Sequence, residues 1–153
     1  MLDDEAIALM KEHGTYLVPT TYLVDVIDMD ALPAPIRAKA ESVLPLAVES
    51  VSRAVAAGVK MAFGTDAGVY PHGQNAGEFV TLVEQRGMDP LEALRSATIY
   101  AADLLGVADR GVIEEGRLAD LVALDGNPLD DITATQRVEF VMRGGEVFKR
   151  PHP

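Results

Sequence analysis

Among the side chains that could make or break bonds, one aspartate holds the most telling position. Asp66 closes Gly64-Thr65-Asp66 directly after Val59-Lys60-Met61-Ala62-Phe63, a short apolar run with the pattern of a strand buried on both faces. In α/β folds the carboxyl ends of strands open onto the active-site crevice, so a side chain placed there is held rigidly and faces substrate. A carboxylate at that point can bind a hard or borderline cation and accept a proton from a water molecule. It can equally cap a turn by bonding its own backbone. His72, in Tyr70-Pro71-His72-Gly73-Gln74-Asn75, lies in the following loop and either reaches the same crevice or is an ordinary polar surface residue. His13 falls at an expected helix C-terminus, where it suits the helix dipole, and His152 lies in a proline-rich tail; neither is a promising ligand. The sequence contains no Gly-rich phosphate loop, Gly-x-Ser-x-Gly elbow or His-Glu-x-x-His helix, which leaves phosphoryl transfer, serine hydrolysis and zincin chemistry unsupported.

Composition narrows the classes further. The 153 residues suffice for one sizeable core, and with 48 % hydrophobic and 24 % charged residues the chain is neither disordered nor of low complexity. Thirteen basic side chains against 24 acidic ones give a formal charge of -11, a field that repels phosphate backbones and anionic membrane surfaces, so no nucleic-acid or membrane partner is expected. Without cysteine there is no disulfide scaffold, thiolate metal site or cysteine nucleophile, and any metal must use oxygen or histidine nitrogen. The longest mainly apolar stretch, Val43 to Met61, is interrupted by Glu49, Arg53 and Lys60. Met1 to Lys11 lacks the basic flank and apolar stretch of a secretory signal, so the expected location is cytoplasmic.

The elements that must position Asp66 can be read from spacing. Asp3 is placed to cap a first helix, with Leu2 as a hydrophobic staple, and Gly14 stops it. Thr15 to Val18 reads as a buried strand ended by Pro19, and Asp25 to Pro35 as a solvated loop. From Ile36 to Gly58 the residues Leu44, Val48, Val51 and Val55 recur at helical spacing before the Val59 to Phe63 strand. Strand, helix, strand in this order implies a parallel crossover. Gln74 to Arg86 predicts a helix, and Asp89-Pro90-Leu91-Glu92 opens another whose apolar stripe, through Leu91, Leu94, Ala97, Ala101, Leu104 and Leu105, runs to Gly106. Beyond Gly111 the texture becomes β. Val112-Ile113 and Leu121 to Leu124 are short strand candidates, and Val138 to Arg143 passes through a Gly144-Gly145 hairpin turn to Val147 and Phe148.

Phe63-Gly64-Thr65-Asp66-Ala67-Gly68, together with the Tyr70 to Asn75 loop, resembles the end of barrel strand eight in the metal-dependent amidohydrolase superfamily, most of all the branch of imidazolonepropionases and Xaa-Pro dipeptidases. Ala93 to Thr98, Ala101 to Gly106, Gly111 to Val122 and Val138 to Gly145 match that superfamily's C-terminal run in order, the Gly-x-Ile-x-x-Gly-x-Leu-Ala-Asp-Leu-Val pattern being the most specific. The resemblance implies an α/β fold. Residues 1-106 would be the C-terminal part of a (β/α)8 (TIM) barrel, strands seven and eight with their helices, and residues 107-153 the C-terminal part of a small β-sandwich; Met1 would fall inside the barrel.

The same resemblance implies hydrolysis of amide-type C-N bonds, with peptide-like or N-acyl amino acid substrates. Zn2+ or another divalent metal would polarise the carbonyl and activate water, and Asp66, as metal ligand and general base, would take the proton and pass it to the leaving amine. His72 and Asn75 would line the substrate side. Of the family's metal ligands only Asp66 has a counterpart, so the isolated chain is expected to hold no stoichiometric zinc and to be inactive. The competing reading is a non-catalytic remnant or interaction subunit. Two parallel strands cannot close a barrel, and their open edges imply a homo-oligomer or a complementary N-terminal chain as partner.

Overall fold

Asp3 opens the first helix as its sequence position predicts. In the computed structural model, which describes residues 1–151 and so leaves His152 outside, the Asp3 carboxylate accepts a hydrogen bond from the Ala6 amide at 2.8 Å. Helix α1 (Asp4–His13) then carries acids in its first turn and Lys11 and His13 in its last, which complements the helix dipole. Gly14 ends α1 at φ 62°, a left-handed conformation that costs glycine little. Ile7 is buried, with Leu2 and Met10 packed beside it.

The segments around Leu17 and Met61 run parallel, but they meet in a single bridge and not in two full strands. The Leu17 N-H donates to the Lys60 carbonyl at 2.9 Å and the Ala62 N-H to the Leu17 carbonyl at 3.0 Å. The next rung would need an N-H from Pro19, which has none. On its other side the second segment is held by the Phe63 N-H, which donates to the Ser96 carbonyl at 3.0 Å.

The crossover between these segments is more structured than its sequence suggests. Helix α2 (Tyr22–Val26), a 3-10 turn (Met29–Ala31) and α3 (Ala34–Ala56) occupy it, so Asp25 to Pro35 is no plain solvated loop. Asp28 makes the turn by accepting from the Asp30 and Ala31 amides, and Asp25 reaches Thr81, as described below. Helix α3 buries Ser50, Val51 and Ala54 toward its C-terminal end. With Ile7, Val59, Met61, Leu82, Met88 and Ala93, Val51 and Ala54 form the core under the parallel pair.

The single helix expected over Gln74 to Arg86 divides. Helix α4 (Gly77–Val80) passes into a π-helical turn (Thr81–Gln85), closed by the Arg86 N-H donating to the Thr81 carbonyl at 3.1 Å. Asp89 caps α5 (Pro90–Ser96) by accepting from the Leu91 and Glu92 amides, and Pro90 fills the first turn. Helix α6 (Ile99–Leu104) follows a break at Ala97 and Thr98. The buried face of these two helices is Ala93, Ser96 and Ala102, whereas Leu91, Leu104 and Leu105 are exposed. Of the expected stripe Leu94, Ala97 and Ala101 are half-buried, while small residues fill the contact where the Phe63 N-H meets the Ser96 carbonyl.

After α6, β1 (Leu121–Leu124), β2 (Val138–Arg143) and β3 (Glu146–Lys149) form an antiparallel sheet in that order. Gly144 and Gly145, at φ 55° and 83°, make the tight turn between β2 and β3. Val112 and Ile113 form no strand, and Ile113 is 87 % exposed. Among the described residues no helix is long and apolar enough to cross a membrane.

One side-chain bond ties the first parallel segment to α6. The Tyr16 hydroxyl donates to Asp103 Oδ2 at 2.6 Å, and this bond, aided by desolvation, pushes the Tyr16 pKa up to about 12. A pKa raised above its unfolded value contributes stability that is fully present below about pH 10 and lost as pH climbs toward about 12. Alkaline unfolding followed by circular dichroism should therefore lose stability across that window, and Tyr16→Phe should flatten this loss while lowering stability at neutral pH.

Candidate active site

Gly64 lets the chain reach Asp66. A Cβ at Gly64 would lie 2.5 Å from Val18 Cγ1 and 3.4 Å from the Pro19 carbonyl, so the two segments pass this closely only because position 64 lacks a side chain. Beyond it Asp66 adopts φ 50°, a left-handed conformation that aspartate tolerates better than most residues. Its carboxylate is exposed and makes no hydrogen bond among the described residues, so it does not cap the turn. The backbone does that work: Val69 N-H donates to the Asp66 carbonyl at 3.4 Å, and Gly68 N-H to the Tyr70 carbonyl at 3.2 Å.

Thr65, just before Asp66, is gripped from two sides. The buried Tyr70 hydroxyl donates to the Thr65 carbonyl at 3.0 Å, and Asn75 Nδ2 donates to Thr65 Oγ1 at 3.1 Å. Asn75 Oδ1 accepts from the Gly73 amide at 3.2 Å, which shapes the loop carrying His72. His72 itself is exposed, with no hydrogen-bond partner among the described residues. The structure thus brings Asn75 to the residue beside Asp66 and leaves His72 at the rim.

The most buried acid of the region is Glu78, at the start of α4, a residue whose sequence position alone does not mark it. Glu78 is fully buried, and its carboxylate accepts from the Thr21 amide and hydroxyl at 2.9 Å each and from the Tyr22 amide at 2.6 Å. A carboxylate sealed from water is tolerable only with such donors. Three residues on, Thr81 Oγ1 donates to Asp25 Oδ2 at 2.6 Å, and Gln85 Nε2 to the same oxygen at 3.1 Å. The readable signal was spacing: Glu78, Thr81 and Leu82 share one helix face, and Leu82 is a core residue.

Aromatic rings close the arrangement. Tyr22 meets Tyr70 edge-on, with ring centroids 5.3 Å apart, and Phe63 stacks on Phe79 at 4.2 Å. The Tyr22 ring lies over Gly77, where a Cβ would sit 2.4 Å from its atoms. A cleft of about 260 Å³ beside this ring is walled by Gly73, Gln74, Thr135, Gln136 and Val138.

The donor set can be tested against a metal. Among the described residues no three His, Cys, Asp or Glu side chains gather as a cation site, and Asp66 is the one acid at the strand ends that is free to ligate. Zinc held against water takes three or more protein ligands, so the residues present do not by themselves fit it.

A parallel pair with a crossover helix, an acid just beyond the carboxyl end of the second segment and a small antiparallel sheet after it define an α/β protein. The chain belongs to the amidohydrolase family, which residues 2–148 match. It is 43 % identical to a Xaa-Pro dipeptidase crystallised with methionine in its active site, at a TM-score of 0.89 over 97 % of this chain and 38 % of that one. Ochratoxinase from Aspergillus niger is 36 % identical over 97 % of the chain and 32 % of its own length. An imidazolonepropionase from Deinococcus deserti is 34 % identical across 54 % of the chain and 21 % of its own length. The chain therefore spans about a third of the relatives it matches over its whole length.

The fit of Tyr22 over Gly77 makes a direct prediction. Gly77→Ala should destabilise the fold by about 1–3 kcal/mol in urea denaturation, as overpacking does, and adding Tyr22→Leu should recover part of that loss.

Proposed function

We propose that this chain forms the strand-end portion of an amidohydrolase that cleaves amide-type C-N bonds in peptide-like or N-acyl amino acid substrates, with Asp66 as general base. The observation that carries the reading is the position of Asp66: an exposed, uncommitted carboxylate directly after a parallel segment whose preceding residue, Thr65, is anchored by Tyr70 and Asn75. Family membership supports amide hydrolysis, and the Xaa-Pro dipeptidase likeness supports a dipeptide-like substrate.

In this reading the Leu17 and Met61 segments are strands seven and eight of a barrel, and residues from about 107 onward belong to a separate small β-domain. Asp66 accepts the proton of the attacking water and returns it to the leaving amine as the C-N bond breaks. Asn75 and His72 border the substrate on the side of the 70–75 loop, with Asn75 oriented by its bonds to Thr65 and Gly73. A divalent metal, where one is bound, supplies carbonyl polarisation and a more acidic water. Since the described residues do not fit zinc by themselves, a partner would supply its remaining ligands and Asp66 one of them.

The partner that completes the site is a complementary polypeptide or another copy of the chain. Val18, Leu105, Ile113 and Val122 are exposed apolar residues that such a partner would cover. Light scattering on the purified chain should give an oligomer, and a monodisperse monomer with one sharp thermal transition would count against self-association.

Metal analysis and turnover test the chemistry. The chain alone should hold no stoichiometric zinc and should not hydrolyse dipeptides; tightly bound zinc with chelator-sensitive turnover would show the site to be complete without a partner. Within the polypeptide or complex that supplies the rest of the relatives' length, Asp66→Asn should lower kcat by about 10² to 10⁴-fold with little change in melting temperature. Activity surviving within a few-fold would remove Asp66 from the role of base.

A further inference from the structure

Among the described residues the Asp66 side chain has no hydrogen bond of its own, so its location is set by its neighbours. A general base has to stand within about 0.5 Å of its working position, which a free loop does not ensure. The nearest fixed point is Thr65, held by Tyr70 and Asn75. Tyr70 is buried, and its ring packs edge-on against Tyr22. The Tyr22 amide, in turn, ends on Glu78 Oε2, and the Tyr22 ring rests over Gly77, the residue next to Glu78.

We propose that Glu78 is a positioning residue of the strand-end site: its buried carboxylate fixes Thr21 and Tyr22, Tyr22 fixes Tyr70, and Tyr70 fixes Thr65 and with it the backbone that presents Asp66. The proposal deepens the reading of Asp66 as the base and rests on it. Three features distinguish this arrangement from an ordinary helix clamp. Both oxygens of Glu78 are used, by three donors from two consecutive residues, so the 21–22 backbone is oriented as well as attached. The Tyr22 ring is confined on two sides, by Tyr70 and by the bare backbone of Gly77, so a shift of residue 22 moves the ring against Tyr70. Asp25, one turn away, already ties the same helix to the π turn through Thr81 and Gln85, so attachment alone does not require Glu78.

Glu78→Gln replaces one acceptor oxygen with an NH2 group; the Thr21 hydroxyl can turn to accept from it, but the backbone N-H of Thr21 or Tyr22 that it faces loses its acceptor. Amide resonances and hydrogen exchange of the full 153-residue chain read the effect. Glu78→Gln and Tyr70→Phe should each shift the Thr65 and Asp66 amide resonances and raise exchange of the Gly68 and Val69 amides, whose bonds close this turn, about tenfold, while amides of β2 and β3 hold their wild-type protection. Asp25→Asn, which loosens the same helix by another route, should leave the Gly68 and Val69 amides unchanged. Thr21→Val, which removes only the hydroxyl donor to Glu78, should give a smaller change of the same pattern and keeps the test decisive should Glu78→Gln not fold. If the Gly68 and Val69 amides stay protected when Glu78 or Thr21 is altered, or if Asp25→Asn disturbs them equally, Glu78 is a clamp and no more. The exchange pattern needs no turnover, so failure of this relay and failure of the base assignment under Asp66→Asn appear in separate measurements.

Discussion

A carboxylate shut away from water must be answered on each oxygen, and Glu78 meets that requirement with donors from one short piece of chain. Much of the upper part of the molecule follows from this. Thr21 and Tyr22 are drawn against α4, the crossover therefore begins with a helical turn and not with a free loop, and the Tyr22 ring is left standing between Gly77 and Tyr70. Leaving one oxygen of such a buried group unsatisfied typically costs about 1–3 kcal/mol, more than a surface ion pair such as Arg37 with Asp30 or Arg95 with Glu92 contributes.

Beneath that clamp the parallel pair is slight. A single bridge, shortened by Pro19, would not hold two segments in register on backbone bonds alone. Packing does the rest: Val59 and Met61 point into the core beneath α1 and α3, Phe63 lies on Phe79, and its amide reaches Ser96. Val18, next to the bridge, stays exposed, whereas Val59, Met61 and Ala62 are buried.

How far the sequence reveals this depends on whether a signal is local. Caps and turns are local, and Asp3, Gly14, Asp89-Pro90 and Gly144-Gly145 lie where their chemistry says they should. The α3 crossover and the β2–β3 hairpin are likewise legible, as is the location of Asp66 beyond the second parallel segment. Faces of short helices are not. The α5 and α6 leucines look like a core stripe, but the buried positions there are Ala93, Ser96 and Ala102, and the Ser96 carbonyl accepts from the distant Phe63 amide, a contact no local pattern announces. Val112 and Ile113 have strand propensity without a neighbour to pair with. At the site, Asn75 and Asp66 could be picked out by type and loop position. Glu78 could not be picked out the same way, since its importance lies in donors 56 and 57 residues away.

The π turn at Thr81–Gln85 closes the helix that α4 opens, and a π turn holds one residue more than the α-helical turn it replaces. Within it Leu82 enters the core while Thr81 and Gln85 both reach Asp25. Gly87, at φ 76°, then reverses the chain so that the Met88 N-H donates to the Leu82 carbonyl at 3.0 Å and Met88 joins the same core. Chain length in this stretch is thus constrained more tightly than the identity of its exposed residues: a one-residue deletion would leave either the Asp25 contacts or Met88 out of reach.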